Sequence, residues 1–417
     1  MTRILTALPA LLAFAAPAIA QDRAAVVATY ADIAAAGYED SLTKARALQH
    51  ATRALIETPS AEALEAAKSA WLAARVPYQQ TEVFRFGNPI VDDWEGRVNA
   101  WPLDEGLIDY VDGGATTGDN QLAALNVIAT PRFTLSGEEI DATKITPALL
   151  EQTLHEADAI EANVATGYHA IEFLLWGQDL NGTGPGAGDR PWTDYARGEN
   201  CTNGHCDRRA DYLAAATELL VSDLDWMARQ WTDDGAARAA LTADPDAAII
   251  AMLTGMGSLS YGEQAGERMK LGVMLNDPEE EHDCFSDNTH NSHYYDGLGM
   301  RNVYRGEYLR VDGSTVSGPS LADLVAAADA GLAAELDDDL DTTMTRLGRI
   351  KTAAEAGFSY DMMLARGNAE GEALIMDAVD ALVDQTRSIE RAVAALGLDQ
   401  IGFAGSDSLD SPDAVFQ

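Results

Sequence analysis

Apolar residues recur along most of the chain with the 3.6-residue period of an amphipathic helix. In the last long segment, one helical face carries Ile375, Val379, Leu382, Ile389, Val393 and Leu396. Asn368 precedes this segment as a typical N-cap residue and Gly397 follows it as a typical C′ residue, so a helix is predicted between them. Strand-type alternation is almost absent, apart from brief stretches such as 132–135. The pattern predicts an all-α fold made of two helical-bundle halves.

Five further segments show helical periodicity or helix-start signals. Ser60 opens a helix that continues through Trp71, and Thr146-Pro147 places a cap and an N1 proline before a helix over 149–164. The other three helices are predicted over residues 207–231, 245–275 and 320–340. Long irregular segments are predicted between the helices, at about 84–145, 177–206 and 276–319. Loops of this length are usually functional, and these carry most of the unusual residues.

The first 20 residues have the features of an export signal. A positive start at Arg3 is followed by a short apolar run and by Ala18-Ile19-Ala20, so cleavage is expected before Gln21. No other apolar stretch reaches membrane-spanning length, and the mature protein is expected to be soluble in the periplasm. A Gly-rich stretch before residue 200 suggests two domains, an N-terminal helical domain over 21–200 and a C-terminal bundle domain over 201–417.

Three cysteines remain in the mature chain. In an oxidising compartment Cys201 and Cys206 are expected to close a small loop as a disulfide, which leaves Cys284 unpaired. The spacing does not exclude a bridge from Cys284 to either of the others. A structural zinc site is not indicated, because the C-x4-C pair lacks a second pair of ligands.

The charge balance restricts the partners. Of 417 residues, 67 are Asp or Glu and 28 are Lys or Arg, which gives a formal charge of −39. A surface this acidic is repelled by nucleic acid and by anionic membranes, so neither is expected as a partner. The hydrophobic fraction of 47% is ample for a packed core. The acidity is explained either by a merely self-repelling surface or by a role in handling cations.

The most suggestive short motif is the pair His169 and Glu172, which lies one helical turn apart on one face. Imidazole with carboxylate suits zinc and iron, and helical bundles build metal sites from such side chains. The spacing alone is weak evidence: H-x-x-[DE] occurs three times, where roughly one is expected by chance. The apolar run 173–176 follows at once, so the pair enters the core and needs either mutual satisfaction or an ion.

Two other polar clusters are candidates. The helix near residues 71–86 carries Arg75, Tyr78, Gln79, Glu82 and Arg85. This cluster is open to a plain interpretation, an ion pair within the helix. The acidic loop 279–293 holds three of the seven histidines, and it is either a second metal site or a hydrogen-bonded loop at an interface.

Taken together, several segments resemble the imelysin family. They are ATGYHAIEFLLWGQD at 165–179, ARVPYQQTEVFRFG at 74–87, CDRRADYL at 206–213, GEQAGERM at 262–269 and EHDCFSDNTH at 281–290. The family's GxHxxE motif maps onto Gly167, His169 and Glu172. The resemblance implies an exported, often iron-regulated bacterial protein with an all-helical two-part fold, acting either in iron acquisition or, as the family name suggests, as a peptidase.

The resemblance also implies a ligand set. Iron-binding relatives carry Y-E-x-x-E on the early helix, where this sequence has Tyr78 and Glu82 but Gln79 in place of the first glutamate. With Asp104 as a further oxygen donor, the expected metal ligands are His169, Glu172, Glu82 and Asp104. Iron is the expected metal and zinc the alternative. The expected partners are the metal ion or an iron chelate, and a periplasmic or membrane uptake protein.

Three functions follow from this sequence. The first is an exported metal-binding protein of iron uptake. The second is a metallopeptidase with Glu172 as base, although H-E-x-x-H and H-x-x-E-H are both absent. The third is a helical partner-docking protein without metal, in which His169 and Glu172 only satisfy each other.

Overall fold

The computed structural model describes residues 16–112, 120–398 and 401–416, with side chains from residue 23 onward. Its α-helices are α1 Ala16–Glu57, α2 Ala61–Gln79, α3 Pro89–Asn99, α4 Glu105–Ile108, α5 Pro147–Leu149, α6 Gly167–Trp176, α7 Cys206–Gln230, α8 Ala236–Thr242, α9 Pro245–Ser258, α10 Leu271–Leu275, α11 Thr289–Arg305, α12 Leu321–Ala328, α13 Ala330–Glu355, α14 Tyr360–Leu364, α15 Ala369–Ala395 and α16 Asp407–Asp410. The antiparallel hairpins are β1 Arg132–Leu135 with β2 Glu138–Asp141, and β3 Glu307–Leu309 with β4 Thr315–Ser317. The all-α prediction is confirmed.

Two sets of packed helices form the body of the protein. In the first set α1 packs on α2 and α7, and α6 packs on α2, α3 and α7. In the second set α13 packs on α11 and α15, and α15 also packs on the π-helical turns Leu259–Lys270 that join α9 to α10. Contacts of α2 with α11 and of α1 with α9 join the two sets. Although α7 follows residue 200, it packs with the first set, and the domain division there stays a prediction.

Several predicted helix ends are confirmed by their caps. Ser60 accepts a hydrogen bond from the Ala63 amide at 3.1 Å and starts α2. Asn368 does the same for the Gly371 amide at 3.1 Å and starts α15. Gly397 adopts the left-handed φ of 68° that commonly follows a helix. These side-chain caps satisfy backbone amides that the helix itself leaves without partners.

Two helix predictions are wrong in their extent. The helix expected over 149–164 stops after α5 and one π-helical turn, because His155 turns to an extended conformation and Glu156 takes a left-handed φ of 52°. There the buried Asn163 side chain donates to the Ala157 carbonyl at 2.7 Å, a local bond that replaces helical ones. The helix expected over 320–340 is divided at Asp329, which ends α12 and caps α13.

The helices α3 and α11 lie inside segments predicted to be irregular. In α11 the buried face includes Ser292, His293 and Asp296, all fully inaccessible to solvent. Polar residues at core positions hide the apolar period on which the sequence-based prediction depends.

The disulfide between Cys201 and Cys206 is confirmed, and Cys284 is free. The predicted signal peptide lies outside the described residues, except for the backbone of its last five residues, which begin α1. Within the described chain, no helix combines the length and apolar character needed to cross a membrane.

A buried ion-pair network fastens the segments around α7. Arg209 on α7 contacts Asp109 with Nε at 2.5 Å and Nη2 at 3.0 Å. Arg190 reaches the same carboxylate at 2.7 Å and Asp194 at 3.1 Å. All four side chains are 1% exposed or less. Because the arginines outweigh the effect of burial, the pKa of Asp109 is lowered. Through these ion pairs, the Asp109 carboxylate holds its own segment and the segment of Arg190 against α7.

Replacing Asp109 by Ala is expected to destabilise the protein by about 3–5 kcal/mol, because it leaves two buried guanidinium groups with fewer partners. Denaturant unfolding followed by circular dichroism measures this change. The control is Asp32→Ala, which removes a surface ion pair with Arg238 and should cost less than about 1 kcal/mol. Equal effects of the two substitutions would contradict the assigned role of Asp109.

Candidate metal centre

The start of α6 is pressed against the end of α3. Gly167 has a left-handed φ of 80°, and a Cβ added there would lie 2.4 Å from the carbonyl oxygen of Val98. The Thr166 hydroxyl donates to the Arg97 carbonyl at 2.9 Å on the same contact. The close approach of the α3 and α6 backbones therefore requires glycine at position 167 of the GxHxxE motif. This approach places the first turn of α6 in the core.

His169 and Glu172 point at each other, one turn apart on α6. The distance from His169 Nδ1 to Glu172 Oε2 is 3.1 Å, and the two side chains are 1% and 0% exposed. The second oxygen of Glu172 accepts hydrogen bonds from the amide of Ser286 at 2.9 Å and its hydroxyl at 2.7 Å. Glu172 therefore joins the α6 turn to the loop that precedes α11.

The same loop brings His282 and Asp283 next to His169. The imidazole centroids of His169 and His282 are 4.9 Å apart, and His169 Nδ1 lies 4.0 Å from Asp283 Oδ1. One ligand atom from each of these three buried residues lies within 4.8 Å of the others. His169 Nε2 and His282 Nδ1 are buried without any hydrogen-bond partner. Two imidazoles, each with an unpartnered nitrogen, thus lie together with a carboxylate, and we call this group the histidine centre.

Arg75 on α2 holds the carboxylate of this centre. Its Nη2 donates to Asp283 at 2.8 Å, and its Nη1 donates to Asn99 at 2.6 Å. The guanidinium lies 5.0 Å from the ring centroid of Tyr168, in cation–π range. The other Asp283 oxygen accepts from Asn288 and Ser292 at 2.7 and 2.5 Å. Asp283 is thereby fixed in position, and a ligand bound at its Oδ1 would share that oxygen with Arg75.

Burial sets the protonation states of the histidine centre. Burial, and after it the Arg75 guanidinium, lowers the pKa of His169 to about 3, so the imidazole is neutral. The pKa of His282 is also well below its usual value because of burial. Burial and the neighbouring Asp283 raise the pKa of Glu172 well above its usual value. Burial opposes the ionisation of Asp283, but Arg75 and His169 together lower its pKa. Neutral imidazoles are the form that binds metal ions.

Glu82, a predicted ligand, lies in an adjoining network. Its Oε2 accepts from Arg268 at 2.8 Å, and its Oε1 is 3.4 Å from the Asn99 amide nitrogen. Arg268 also contacts Asp296 of α11 at 3.2 Å. The sequence left open an ion pair between Glu82 and a residue of the same helix. Glu82 instead pairs with Arg268, which belongs to the π-helical turns. Asn99 connects this network to Arg75 and so to the histidine centre.

Asp104, another predicted ligand, occupies the N-cap position of α4. The side chain of Asn120 donates to its carboxylate. In the described part of the chain Asp104 is not among the groups of ligand atoms within 4.8 Å of one another. The structure therefore brings His169 and Glu172 together, places Glu82 one network away and leaves Asp104 at a helix end. Their roles as metal ligands stay predictions.

The other H-x-x-[DE] pairs have separate contacts. Asp158 accepts from Ser136 at 2.6 Å, and His155 accepts from the Ala165 amide. His293 lies fully buried on α11 with neither ring nitrogen hydrogen-bonded. Sequence reasoning assigned His282 and Asp283 to a possible second site, whereas the structure places them at the first. The signal for this was the run of histidines and carboxylates in a loop between two helices.

The fold and the histidine centre define a helical-bundle protein with a buried histidine–carboxylate cluster where its two sets of helices meet. Residues 34–389 match the family model of imelysin, which also carries the label of a peptidase family. The chain belongs to the imelysin family.

Similar proteins include iron-regulated proteins. The chain is 34% identical to iron-regulated protein A of Synechococcus elongatus over 79 residues, which are 19% of this chain and 20% of that relative. The structure of an iron-regulated protein A precursor from Parabacteroides distasonis matches with a TM-score of 0.66 and 20% identity, covering 90% and 95% of the two chains. An imelysin-like protein from Psychrobacter arcticum matches with a TM-score of 0.58 and 16% identity, covering 92% and 98%. At these identities the two structures show the fold.

Replacing Gly167 by Ala is expected to destabilise the protein by about 3 kcal/mol, through the positive φ and the clash with Val98. Gly137→Ala is the matched control, because Gly137 has a φ of 86° but open space around it. It should cost only about 1 kcal/mol, the part due to φ. Thermal unfolding of both variants checks the difference, and a larger effect at Gly137 would contradict the close approach.

The buried His293 is expected to weaken the fold in acid. Burial and then Arg268 lower its pKa to about 3, below the usual value of about 6.5, so the unfolded state takes up the proton first. Between about pH 6 and pH 3, the wild type should lose about 1.4 kcal/mol of stability per pH unit more than His293→Gln. Denaturant unfolding across this range measures the slopes, and His50→Gln, at an exposed histidine of α1, is the control. Parallel curves for wild type and His293→Gln would contradict the expectation.

Proposed function

We propose that this protein binds an iron ion at the histidine centre and serves bacterial iron uptake outside the cytoplasm. His169, His282 and Asp283 supply the ligand atoms, and Glu172 orients His169. The single observation that carries the proposal is the buried group of His169, His282 and Asp283, in which each imidazole keeps one nitrogen without a hydrogen-bond partner. A buried polar atom without a partner costs about 1–3 kcal/mol, and a bound cation would use both lone pairs.

Charge supports a cation at this place. Two buried carboxyl groups lie near one guanidinium: Asp283 pairs with Arg75 at 2.8 Å, and the charge of Arg75 also acts on Glu172. A positive ion would favour ionisation of Glu172, whose pKa is raised when the centre contains protein groups alone. Metal binding is therefore expected to release a proton.

Glu172 is assigned a supporting role because of its hydrogen bonds. When Glu172 is ionised, His169 Nδ1–H donates to it and the lone pair remains on Nε2. A carboxylate that holds the far side of a ligating imidazole fixes its tautomer and raises its basicity. The Ser286 amide and hydroxyl in turn hold Glu172 in place.

Three arguments support the choice of iron and of uptake. Nitrogen and carboxylate donors suit iron, as they suit zinc. The family and a relative named iron-regulated protein A support a role related to iron uptake. The predicted export signal would place the protein where uptake begins, in the periplasm. A periplasmic or membrane uptake partner remains part of this proposal.

The burial of the histidine centre bears on whether it binds a bare metal ion or a metal chelate. The four side chains of the centre are at most 2% exposed, which suits a bare ion better than a bulky chelate. It also favours binding over peptide hydrolysis, because a zinc peptidase needs a position open to the substrate.

Metal content tests the proposal. Wild-type protein, stripped with a chelator and titrated with Fe(II) without oxygen, should bind one ion per chain by calorimetry and elemental analysis. His169→Ala should abolish this binding, and Glu172→Gln should weaken it by about 10–100-fold. Zn(II) in parallel titrations compares the two metals.

His50→Ala is the matched control, because it removes an exposed histidine and should leave binding unchanged. Circular dichroism checks that each variant keeps its helices. Wild-type metal content in both His169→Ala and His282→Ala would refute the proposal. If a periplasmic partner bound the wild type equally well with and without metal, the docking alternative would be supported instead.

A further inference from the structure

A second group of carboxylates lies outside the histidine centre. It consists of Asp179 after α6, Asp287 before α11 and Asp361 in α14. One carboxylate oxygen from each lies within 4.8 Å of the others. Asp361 is buried, whereas Asp179 and Asp287 are partly exposed. Three segments that are distant in sequence thus place negative charge at one point, which we call the carboxylate cluster.

Two buried carboxylates lie at the cluster with weak hydrogen bonding. Asp361 and Glu281 are each 1% exposed, and both oxygens of each side chain are buried without a well-aligned hydrogen-bond partner. The Thr289 hydroxyl approaches Glu281, and the Ser359 hydroxyl and the Met362 amide approach Asp361, but burial outweighs these donors and raises both pKa values. Glu281 also lines a surface pocket together with Asp179. A buried carboxylate with such weak donors is either protonated or neutralised by a cation.

No basic side chain supplies that charge. Among the ion pairs of the described residues, none includes Asp179, Glu281, Asp287 or Asp361. Burial and the nearby Asp361 raise the pKa of Asp287 to about 7. The contrast is with Asp109, which is as buried as Asp361 and whose pKa is lowered by two arginines. At Asp109, Glu82 and Asp283 the protein neutralises a buried carboxylate with arginine, and here it does not.

We infer that the carboxylate cluster is a binding site for a hard divalent cation, calcium above all. All of its donors are oxygens, with neither histidine nor thiol in the three-carboxylate group, which favours hard cations such as calcium and magnesium over zinc and copper. Calcium binds oxygens at about 2.3–2.6 Å, so its ligands can lie up to about 5 Å apart, and three oxygens within 4.8 Å of one another can reach one ion. Magnesium usually keeps several waters and takes one or two carboxylates, so three protein carboxylates favour calcium. The partly exposed aspartates leave room for water ligands.

The site is distinct from the histidine centre but shares a loop with it. Glu281 and Asp287 flank His282 and Asp283 in sequence, and Asp361 and Asp179 come from α14 and from the loop after α6. A calcium ion would therefore join this loop to two other segments from the outside. The inference does not rest on the proposed iron site, because it uses different residues and a different metal.

Calcium titration of the full chain tests this inference. By calorimetry, chelator-treated wild type should bind one calcium ion. At a concentration 100 times the dissociation constant its Tm should rise by about 3 °C. Asp361→Asn should lose both effects while keeping the side-chain shape. Without calcium its Tm should exceed that of the wild type, because a repelling charge is gone.

Two controls make the result specific. Asp338→Asn removes an exposed carboxylate of α13 and should bind calcium as wild type does. His169→Ala should keep the calcium response, so that failure of the iron proposal would not affect this one. Asp287→Asn is the second cluster variant, for use if Asp361→Asn does not fold, and it should weaken binding at least tenfold. Wild type without calcium binding up to about 10 mM, or cluster variants that bind like wild type, would overturn the inference.

Discussion

The ion pair between Arg75 and Asp283 is the contact on which the centre of the molecule depends. It joins α2 to the loop before α11 at 2.8 Å, with both side chains at most 1% exposed. Neither charge is tolerable alone in such a place, so the loop must return to α2 whenever the protein folds. Asn99, held by the same guanidinium, adds the end of α3. The position of His282 beside His169 follows from this one constraint.

The helices could be predicted wherever one face is apolar and a cap marks the end. Ser60 and Asn368 have both features, and α2 and α15 begin where expected. The prediction fails at α11, because His293 and Asp296 occupy its buried face and remove the hydrophobic period. It fails at 149–164 because tertiary bonds of Asn163 override local helix propensity. Errors of this kind gather near the polar interior, where function and helical pattern compete.

Only the part of the candidate site that lies within one helix could be predicted from the sequence. His169 and Glu172 lie on one helical turn, and spacing alone places them together. Glu172 meets Ser286 across 114 residues of sequence, and Glu82 meets Arg268 across 186. Such pairings depend on how helices pack, which periodicity does not encode. For the same reason the loop 279–293 could be marked as chemically rich but not assigned to the first histidine.

The buried arginines also change the outside of the molecule. Four buried arginines form ion pairs with interior carboxylates, namely Arg75, Arg190, Arg209 and Arg268. Fewer of the 28 basic residues therefore remain to offset the acidic side chains on the exterior. The acidic side chains on that exterior repel one another through the solvent, with a screening length of about 8 Å at physiological ionic strength. The protein therefore carries a dense atmosphere of small cations, and added salt should make its compact state easier to maintain. A cation approaching the bundle is already concentrated before it meets any specific ligand.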